Sequence, residues 1–133
     1  PSPNKVAHAL ARNFGWTIVP CGDTALNLLG LSTQVPSQWV YVSDGAYKEY
    51  TFDNTTIKFK RTTNKEISKV SYKTALTIQA LKALGKENIT EQVILRLKKI
   101  LTDEEKEKML AESKSATSWV LELIKVICKD EEK

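Results

Sequence analysis

The sequence predicts an α+β fold that combines a small, mainly antiparallel sheet, two N-terminal helices and a C-terminal group of three or four helices. Strand-like segments rich in β-branched and aromatic residues cluster between residues 38 and 62. Helical periodicity and helix caps dominate the chain after residue 70. A run of strands followed by a run of helices favours segregated rather than alternating elements.

Composition indicates one ordinary soluble domain over residues 1–133. The 133 residues are 41% hydrophobic and 27% charged, which is typical of globular proteins. The chain begins at Pro1 and its single methionine is Met109. We therefore expect a piece excised from a longer protein. The sequence shows neither a signal peptide nor an anchoring helix, so we expect a cytoplasmic location.

The N-terminal segment predicts a helix, a short strand and a second helix. Ser2 is suited to the N-cap and Gly15 to the C-cap of the first helix. Apolar residues recur on one of its faces at a spacing of four (Val6, Leu10 and Phe14). Residues 16–19 form the strand, which Pro20 stops. Asp23 is placed to cap the second helix, which extends to Leu29.

Three strands are predicted next, over residues 38–43, 48–52 and 56–62. Asp44 and Gly45 mark a turn after the first strand, and Asp53 and Asn54 mark one between the other two. In the last strand two apolar side chains alternate with two lysines (Ile57 and Phe59 with Lys58 and Lys60). This alternation is typical of a half-buried antiparallel hairpin.

The remaining chain predicts helices that begin at Ser71, Thr90 and Thr102, followed by a final helix. Thr102 and Glu105 have the spacing of a capping box. The final helix carries a broad apolar face (Trp119, Val120, Leu123, Ile124 and Ile127). All three tryptophans, Trp16, Trp39 and Trp119, are expected to lie in the core.

The residues offer no catalytic or cofactor constellation. His8 is the single histidine, and a lone histidine is more often structural than catalytic. Cys21 and Cys128 lie far apart in the sequence, and we expect both to be free thiols. A disulfide between them is the alternative. Too few ligands are present for a zinc site, and no phosphate-binding or nucleophile-elbow motif occurs. We therefore expect no enzyme activity, no metal and no cofactor.

Positive charge is concentrated in the middle of the chain. Residues 46–100 hold twelve basic and five acidic side chains, a net charge of +7, whereas the whole chain has +4. Lys58, Lys60 and Arg61 are the candidate nucleic-acid contacts, because phosphates attract such a cluster. An acidic protein surface is an alternative partner. A further alternative is that these residues form an ordinary solvated sheet edge and bind no partner.

The longest uncharged stretch runs from Thr24 to Ser43. Soluble surfaces seldom lack charge over such a length, so the stretch belongs to the core or to a protein-facing patch. Within it, residues 31–36 are predicted mainly to hold the backbone in place. Contact with a partner is the second, less favoured role. The candidate partner contacts are Ser32, Thr33, Gln34 and Trp39.

Several segments together resemble the DUF6088 family, which is grouped with the AbiEi-type antitoxins of abortive-infection toxin–antitoxin systems. The similarity lies in the stretch 22–36 and in the segments 6–12, 15–20, 40–45, 57–61 and 75–85, and the string at residues 29–36 is long enough to be specific to the family. The resemblance covers roughly residues 1–125. Cys21 stands where the family pattern favours a small residue such as serine.

The resemblance implies a non-enzymatic antitoxin and transcriptional-regulator domain. Such proteins are expected to carry an N-terminal winged helix that binds operator DNA, here absent, and a C-terminal domain that neutralises a nucleotidyltransferase-like toxin. Whether neutralisation requires direct contact with the toxin is left open. The alternative is a nucleic-acid-binding accessory domain that uses the basic sheet face.

Overall fold

The computed structural model describes residues 2–63, 67 and 69–129. Within them the fold is α+β, about 53% helical and 17% strand, which confirms the predicted class. Six helices and four strands follow one another in this part of the chain: α1 Pro3–Phe14, β1 Ile18–Pro20, α2 Gly22–Leu28, β2 Gln38–Ser43, β3 Lys48–Phe52, β4 Thr55–Arg61, α3 Tyr72–Leu84, α4 Glu91–Ile100, α5 Asp103–Glu112 and α6 Ser118–Cys128.

The four strands form one mixed sheet in the order β1-β2-β4-β3. β1 pairs antiparallel with β2, and β3 pairs antiparallel with β4, whereas β2 and β4 are parallel. The turn between β3 and β4 places Asp53 and Asn54 at φ values of 48° and 63°, as a two-residue hairpin loop requires. β4 therefore lies between β2 and β3, although β3 follows β2 directly in the chain.

Several hydrogen bonds fix the short connection from β2 to β3. The backbone N–H of Thr17 donates to the Asp44 carboxylate at 2.9 Å. The N–H of Gly45 donates to the Ser43 hydroxyl at 2.9 Å, and the Arg61 guanidinium donates to the Gly45 carbonyl. Gly45 is buried directly against the Trp16 indole. These contacts hold the connection across the end of β4.

The sheet separates two apolar clusters. On one face, Tyr41, Ile57 and Phe59 are completely buried beneath α1, which contributes Ala7 and Ala11. The Tyr41 hydroxyl also donates to the Asn4 side chain at 2.9 Å. The second, larger cluster contains Val19 of β1 and residues of α2 through α6. Alternate residues of a strand point to opposite faces, so each inner strand serves both sides.

The first helix differs from its predicted packing. Ser2 is its N-cap and accepts a hydrogen bond from Lys5 N–H, and Gly15 ends it at φ 71°, both as predicted. Phe14 was expected on the buried face, but it is 42% exposed and stacks on Trp16 at 4.7 Å between ring centroids. The small side chains of Ala7 and Ala11 take the buried positions because they let α1 approach the bulky aromatic face of the sheet.

Two further helix starts correct the sequence-based expectations. α2 begins at Gly22 after Cys21, which makes no side-chain cap, so Asp23 lies in the first turn and is not the N-cap. Ser71 is the N-cap residue of α3 but makes no side-chain cap bond, and its hydroxyl donates to Glu112 at 2.9 Å. Thr90 caps α4, and the capping box of Thr102 and Glu105 is confirmed.

Gly45→Ala should destabilise the fold, because an added Cβ would lie 2.1 Å from the Trp16 ring. Overpacking of this kind costs about 1–3 kcal/mol. Chemical denaturation should show this loss of unfolding free energy. Trp16→Leu provides the matched background, in which the same glycine substitution should cost measurably less. Equal costs in both backgrounds would show that the indole contact does not require glycine.

Candidate interaction site

The register of the parallel strands brings two candidate lysines onto one sheet face. Lys58 is paired with Val40 and Lys60 with Val42, so all four side chains point to the face opposite α1. Lys58 also lies 3.8 Å from the Glu49 carboxylate of β3. Glu49 offsets part of the positive charge of Lys58, whereas Lys60 is exposed. The alternation predicted for this strand is confirmed.

Arg61 does not join these lysines. It is paired with Ser43, whose side chain lies on the face that α1 covers, and its guanidinium donates to the Gly45 carbonyl at 3.4 Å. Lys58, Lys60 and Arg61 are close in sequence but are thus divided between the two faces of the sheet. A phosphate ligand bound by Lys58 and Lys60 would not meet Arg61 on the same surface.

Lys60 lines a groove between the sheet and the helices α2 and α3, which we call the α2–α3 groove. Its volume is about 460 Å³, within the usual range of small-ligand sites. Lys82 of α3 provides a second ammonium group, and Asp23 provides a carboxylate. The lining is completed by Cys21, Gly22, Ser37, Gln38, Val40, Val42, Gln79 and Ala83. The groove combines apolar walls with two ammonium groups and a carboxylate, which suits a small ligand that carries charge.

A buried threonine ties α2 to the sheet at the base of this groove. Thr24 is completely buried, and its hydroxyl oxygen accepts a hydrogen bond from the Val40 backbone N–H at 2.8 Å. The same hydroxyl is 3.5 Å from the Gln38 carbonyl, to which it donates. These bonds fix the distance between α2 and β2, and hence the width of the groove.

The thiol in the groove is not activated as a nucleophile. Burial raises the pKa of Cys21, and the Lys60 ammonium and a backbone hydrogen bond from Val42 counteract part of that rise. Catalytic cysteines require the opposite shift, because the thiolate is the reactive form. Cys21 and Cys128 are both buried free thiols, so the free-thiol interpretation is confirmed.

The loop after α2 is ordered by its own hydrogen bonds. The Asn27 side-chain amide donates to the Gln34 carbonyl at 3.0 Å, and the Gln34 N–H donates to the Ser32 hydroxyl at 3.2 Å. The Ser32 N–H donates back to the Leu26 carbonyl. This is the backbone clamp that the sequence predicted. Val35 at the loop is 75% exposed, and Thr33 and Gln34 are exposed as well.

The aromatic candidates lie away from this loop. Trp39 is half-buried and packs into the cluster beneath α1, on the opposite sheet face from the groove. Trp16 and Trp119 are also half-buried, and all three tryptophans pack against the core clusters. His8 is half-buried between the rings of Tyr41 and Tyr72, and burial lowers its pKa. A packing role accounts for this histidine.

Sequence reasoning missed the contribution of α3 to the groove. Gln79 and Lys82 are three residues apart and therefore adjacent on the helix surface. They stand on a helix whose other central residues are mostly buried and apolar. A polar pair at this spacing on such a helix is the signal that could have identified them.

Two structural features are absent from the described residues. Across residues 2–63, 67 and 69–129, no group of three or more His, Cys, Asp and Glu side chains is placed to hold a metal ion. None of the helices in the same ranges has the length and apolar character needed to cross a bilayer.

The fold and its surfaces define a small α+β domain with an ordered, uncharged loop and a cationic groove. The chain belongs to the DUF6088 family, a family of unknown function, whose model matches residues 1–109. That match contains the sheet, the helices α1 to α4 and most of α5. No curated protein and no solved structure matches the chain.

Replacing Lys60 by Met should make Cys21 less reactive at a given pH. Removing the ammonium group raises the pKa of the thiol further, so the thiolate forms only at higher pH. Alkylation of the Cys21 peptide, followed by mass spectrometry across a pH series, should show a profile displaced to higher pH. Lys5→Met on the exposed surface of α1 is the control. An unchanged profile for Lys60→Met would mean that Lys60 does not influence this thiol.

Proposed function

We propose that this chain is a non-enzymatic antitoxin and transcriptional-regulator domain that neutralises a nucleotidyltransferase-like toxin of an AbiE-type system in the cytoplasm. The proposal is supported by membership of the DUF6088 family together with the resemblance of residues 22–36 to AbiEi-type antitoxins. The observation that carries it is the ordered loop at residues 31–36, which presents uncharged side chains to solvent.

This loop has the properties of a protein contact. The centres of protein interfaces are depleted of charged residues, and residues 31–36 carry none. The hydrogen bonds from Asn27 and within the loop hold its backbone before any partner arrives. A preformed loop loses less conformational entropy on binding than a flexible one. Val35, at 75% exposure, is the apolar side chain best placed to become buried.

The chemistry of the α2–α3 groove also supports a function other than catalysis. Its thiol has a pKa raised by burial, which disfavours the reactive thiolate. His8, the single histidine of the chain, is held between two tyrosine rings rather than beside this thiol. His8 is therefore not placed to act as a base for the Cys21 thiol.

Co-expression of this chain with the nucleotidyltransferase-like toxin encoded beside it should restore bacterial growth. Val35→Glu should reduce the rescue, because it places a charge at the centre of an uncharged contact. Ala9→Glu adds the same charge to the exposed surface of α1 and should rescue growth normally. Failure of the folded wild-type chain to rescue growth would remove the antitoxin proposal. Equal rescue by Val35→Glu would remove the loop from it.

A second candidate function is nucleic-acid binding through the basic sheet face. The observation that favours it is the convergence of Lys60 and Lys82 in one groove, beside Lys58 on the same face. Two ammonium groups around a concave surface attract phosphates. Asp23 in the same groove reduces this attraction, so the antitoxin proposal takes precedence.

Duplex DNA binding that weakens steeply with salt would support this second candidate. Lys60→Ala with Lys82→Ala should reduce the slope of log affinity against log salt by roughly 1.8, because each lost phosphate contact contributes about 0.9. Fluorescence anisotropy between about 50 and 200 mM salt measures the slope. Arg61→Ala, on the opposite face, should leave it unchanged. A slope unaltered by the double substitution would exclude the groove as the DNA contact.

A further inference from the structure

A second groove lies where the helices α3 and α5 meet the start of α6, and we call it the α6 groove. Its volume is about 460 Å³, which is large enough for a small organic molecule. Hydroxyl groups dominate its polar lining, which consists of Thr63, Lys82, Glu112, Ser113, Ser115 and Thr117. The functions proposed above make no use of these hydroxyl groups.

α6 begins in this groove without a side-chain cap. Thr117 is its N-cap residue, yet the Thr117 hydroxyl makes no cap bond, unlike the hydroxyls at the starts of α1, α4 and α5. The first intrahelical bond runs from the Leu121 N–H to the Thr117 carbonyl, so the N–H groups of residues 118–120 have no partner within the helix. Residues 118–121 include no aspartate or glutamate. These N–H groups and the positive end of the helix dipole therefore favour an anion.

A buried hydroxyl at the base of the groove independently points to a ligand. Ser113 lines the groove, although only 1% of its surface is exposed. Its Oγ has no hydrogen-bond partner among residues 2–63, 67 and 69–129. Buried polar groups are nearly always hydrogen-bonded, because an unpaired group loses its bonds to water without replacement. A ligand that accepts a hydrogen bond would satisfy this hydroxyl.

The charged side chains of the groove leave room for an anion. The Glu112 carboxylate is already engaged, because its Oε1 accepts hydrogen bonds from the Ser71 N–H at 3.1 Å and from the Ser71 hydroxyl at 2.9 Å. Lys82, on the opposite side of the charge balance, offsets its negative charge. The N–H groups of α6 and the hydroxyls, rather than a net charge, therefore select the ligand.

The apolar lining of the groove defines the rest of the ligand. Val70, Ile78, Ala116 and Val120 contribute this part. A free phosphate ion would fill only a small part of the groove and would leave these side chains without contacts. An organic phosphate can place its phosphate group at the start of α6 and its carbon body against them.

We propose that the α6 groove binds a small organic phosphate, whose phosphate group lies at the N-terminus of α6 and accepts a hydrogen bond from Ser113. Phosphate oxygens accept the hydrogen bonds that N–H groups and hydroxyls donate. This inference goes beyond the antitoxin proposal, since it uses neither the loop at residues 31–36 nor Lys60. α6 also lies outside residues 1–109, which the family model matches.

Phenyl phosphate is a suitable probe, because it joins a phosphate group to an apolar ring. It should shift the backbone amide resonances of residues 118–120 in NMR spectra of the full chain, and calorimetry should give its dissociation constant. Inorganic phosphate should bind at least about tenfold more weakly, because it buries no apolar surface. Absence of the amide shifts would overturn the proposal. Equal affinity for the two probes would overturn its assignment to an organic ligand.

Thr117→Asp separates ligand binding from folding. Aspartate is a good N-cap residue, so its carboxylate should bind the free N–H groups of α6 and repel the phosphate. The affinity for phenyl phosphate should fall at least about tenfold, while the melting temperature should not fall. Ser2→Asp adds the same charge at the N-cap of α1, on the other side of the sheet, and should leave the affinity unchanged. Wild-type affinity in Thr117→Asp would contradict the proposed position of the phosphate group.

Ser113→Ala tests the buried hydroxyl. Hydrogen bonds to charged groups are strong, so its loss should lower the affinity for phenyl phosphate about tenfold. The free protein should unfold at the same or a higher temperature, because the substitution removes an unpaired polar group. A hydroxyl with a purely structural role would leave the affinity unchanged. That result would overturn the proposal, since Ser113 is the observation that identifies the groove as a ligand site.

Discussion

The parallel pairing of β2 with β4 is the constraint on which the arrangement of both faces depends. It places Tyr41 beside Phe59 under α1 and Val42 beside Lys60 on the opposite face. Shifting either strand by one residue would exchange these faces, because side chains alternate along a strand. A shift of β4 would turn Lys58 and Lys60 into the cluster beneath α1 and would remove Phe59 from it. Burial of Tyr41 and Phe59 thus determines where the positive charge of β4 can appear.

α2 links this sheet to both candidate surfaces, which are the α2–α3 groove and the loop at residues 31–36. Its Thr24 fixes the helix to β2 and sets the width of the groove, while Asn27, one turn further on, orders the following loop. A change in the position of α2 would therefore alter the groove and the loop together. The stretch from Thr24 to Ser43 lacks charge for two reasons. About half of α2 is buried, and the loop that follows is hydrogen-bonded to α2.

Local structure was readily predicted from the sequence, whereas relations between distant segments were not. The bounds of β2 and β3, the caps at Ser2 and Thr90 and the capping box at Thr102 depend on neighbouring residues, and they were correct. The insertion of β4 between β2 and β3 depends on tertiary packing, and no short motif encodes it. The division of Arg61 from Lys60 follows from simple alternation. The joining of Lys60 with Lys82 requires the position of α3, which the sequence does not specify.

The strand order also affects how the sheet can fold while the chain is being synthesised. When the ribosome has completed β3, both β2 and β3 exist, yet the place between them belongs to a strand that has not been made. Pairing β2 directly with β3 at that stage would have to be undone before the sheet could close. In the finished sheet the connection at residues 44–47 spans the width of β4, so β2 and β3 are not neighbours in the native fold. Translation must therefore pass Arg61 before the central pairing of the sheet can form.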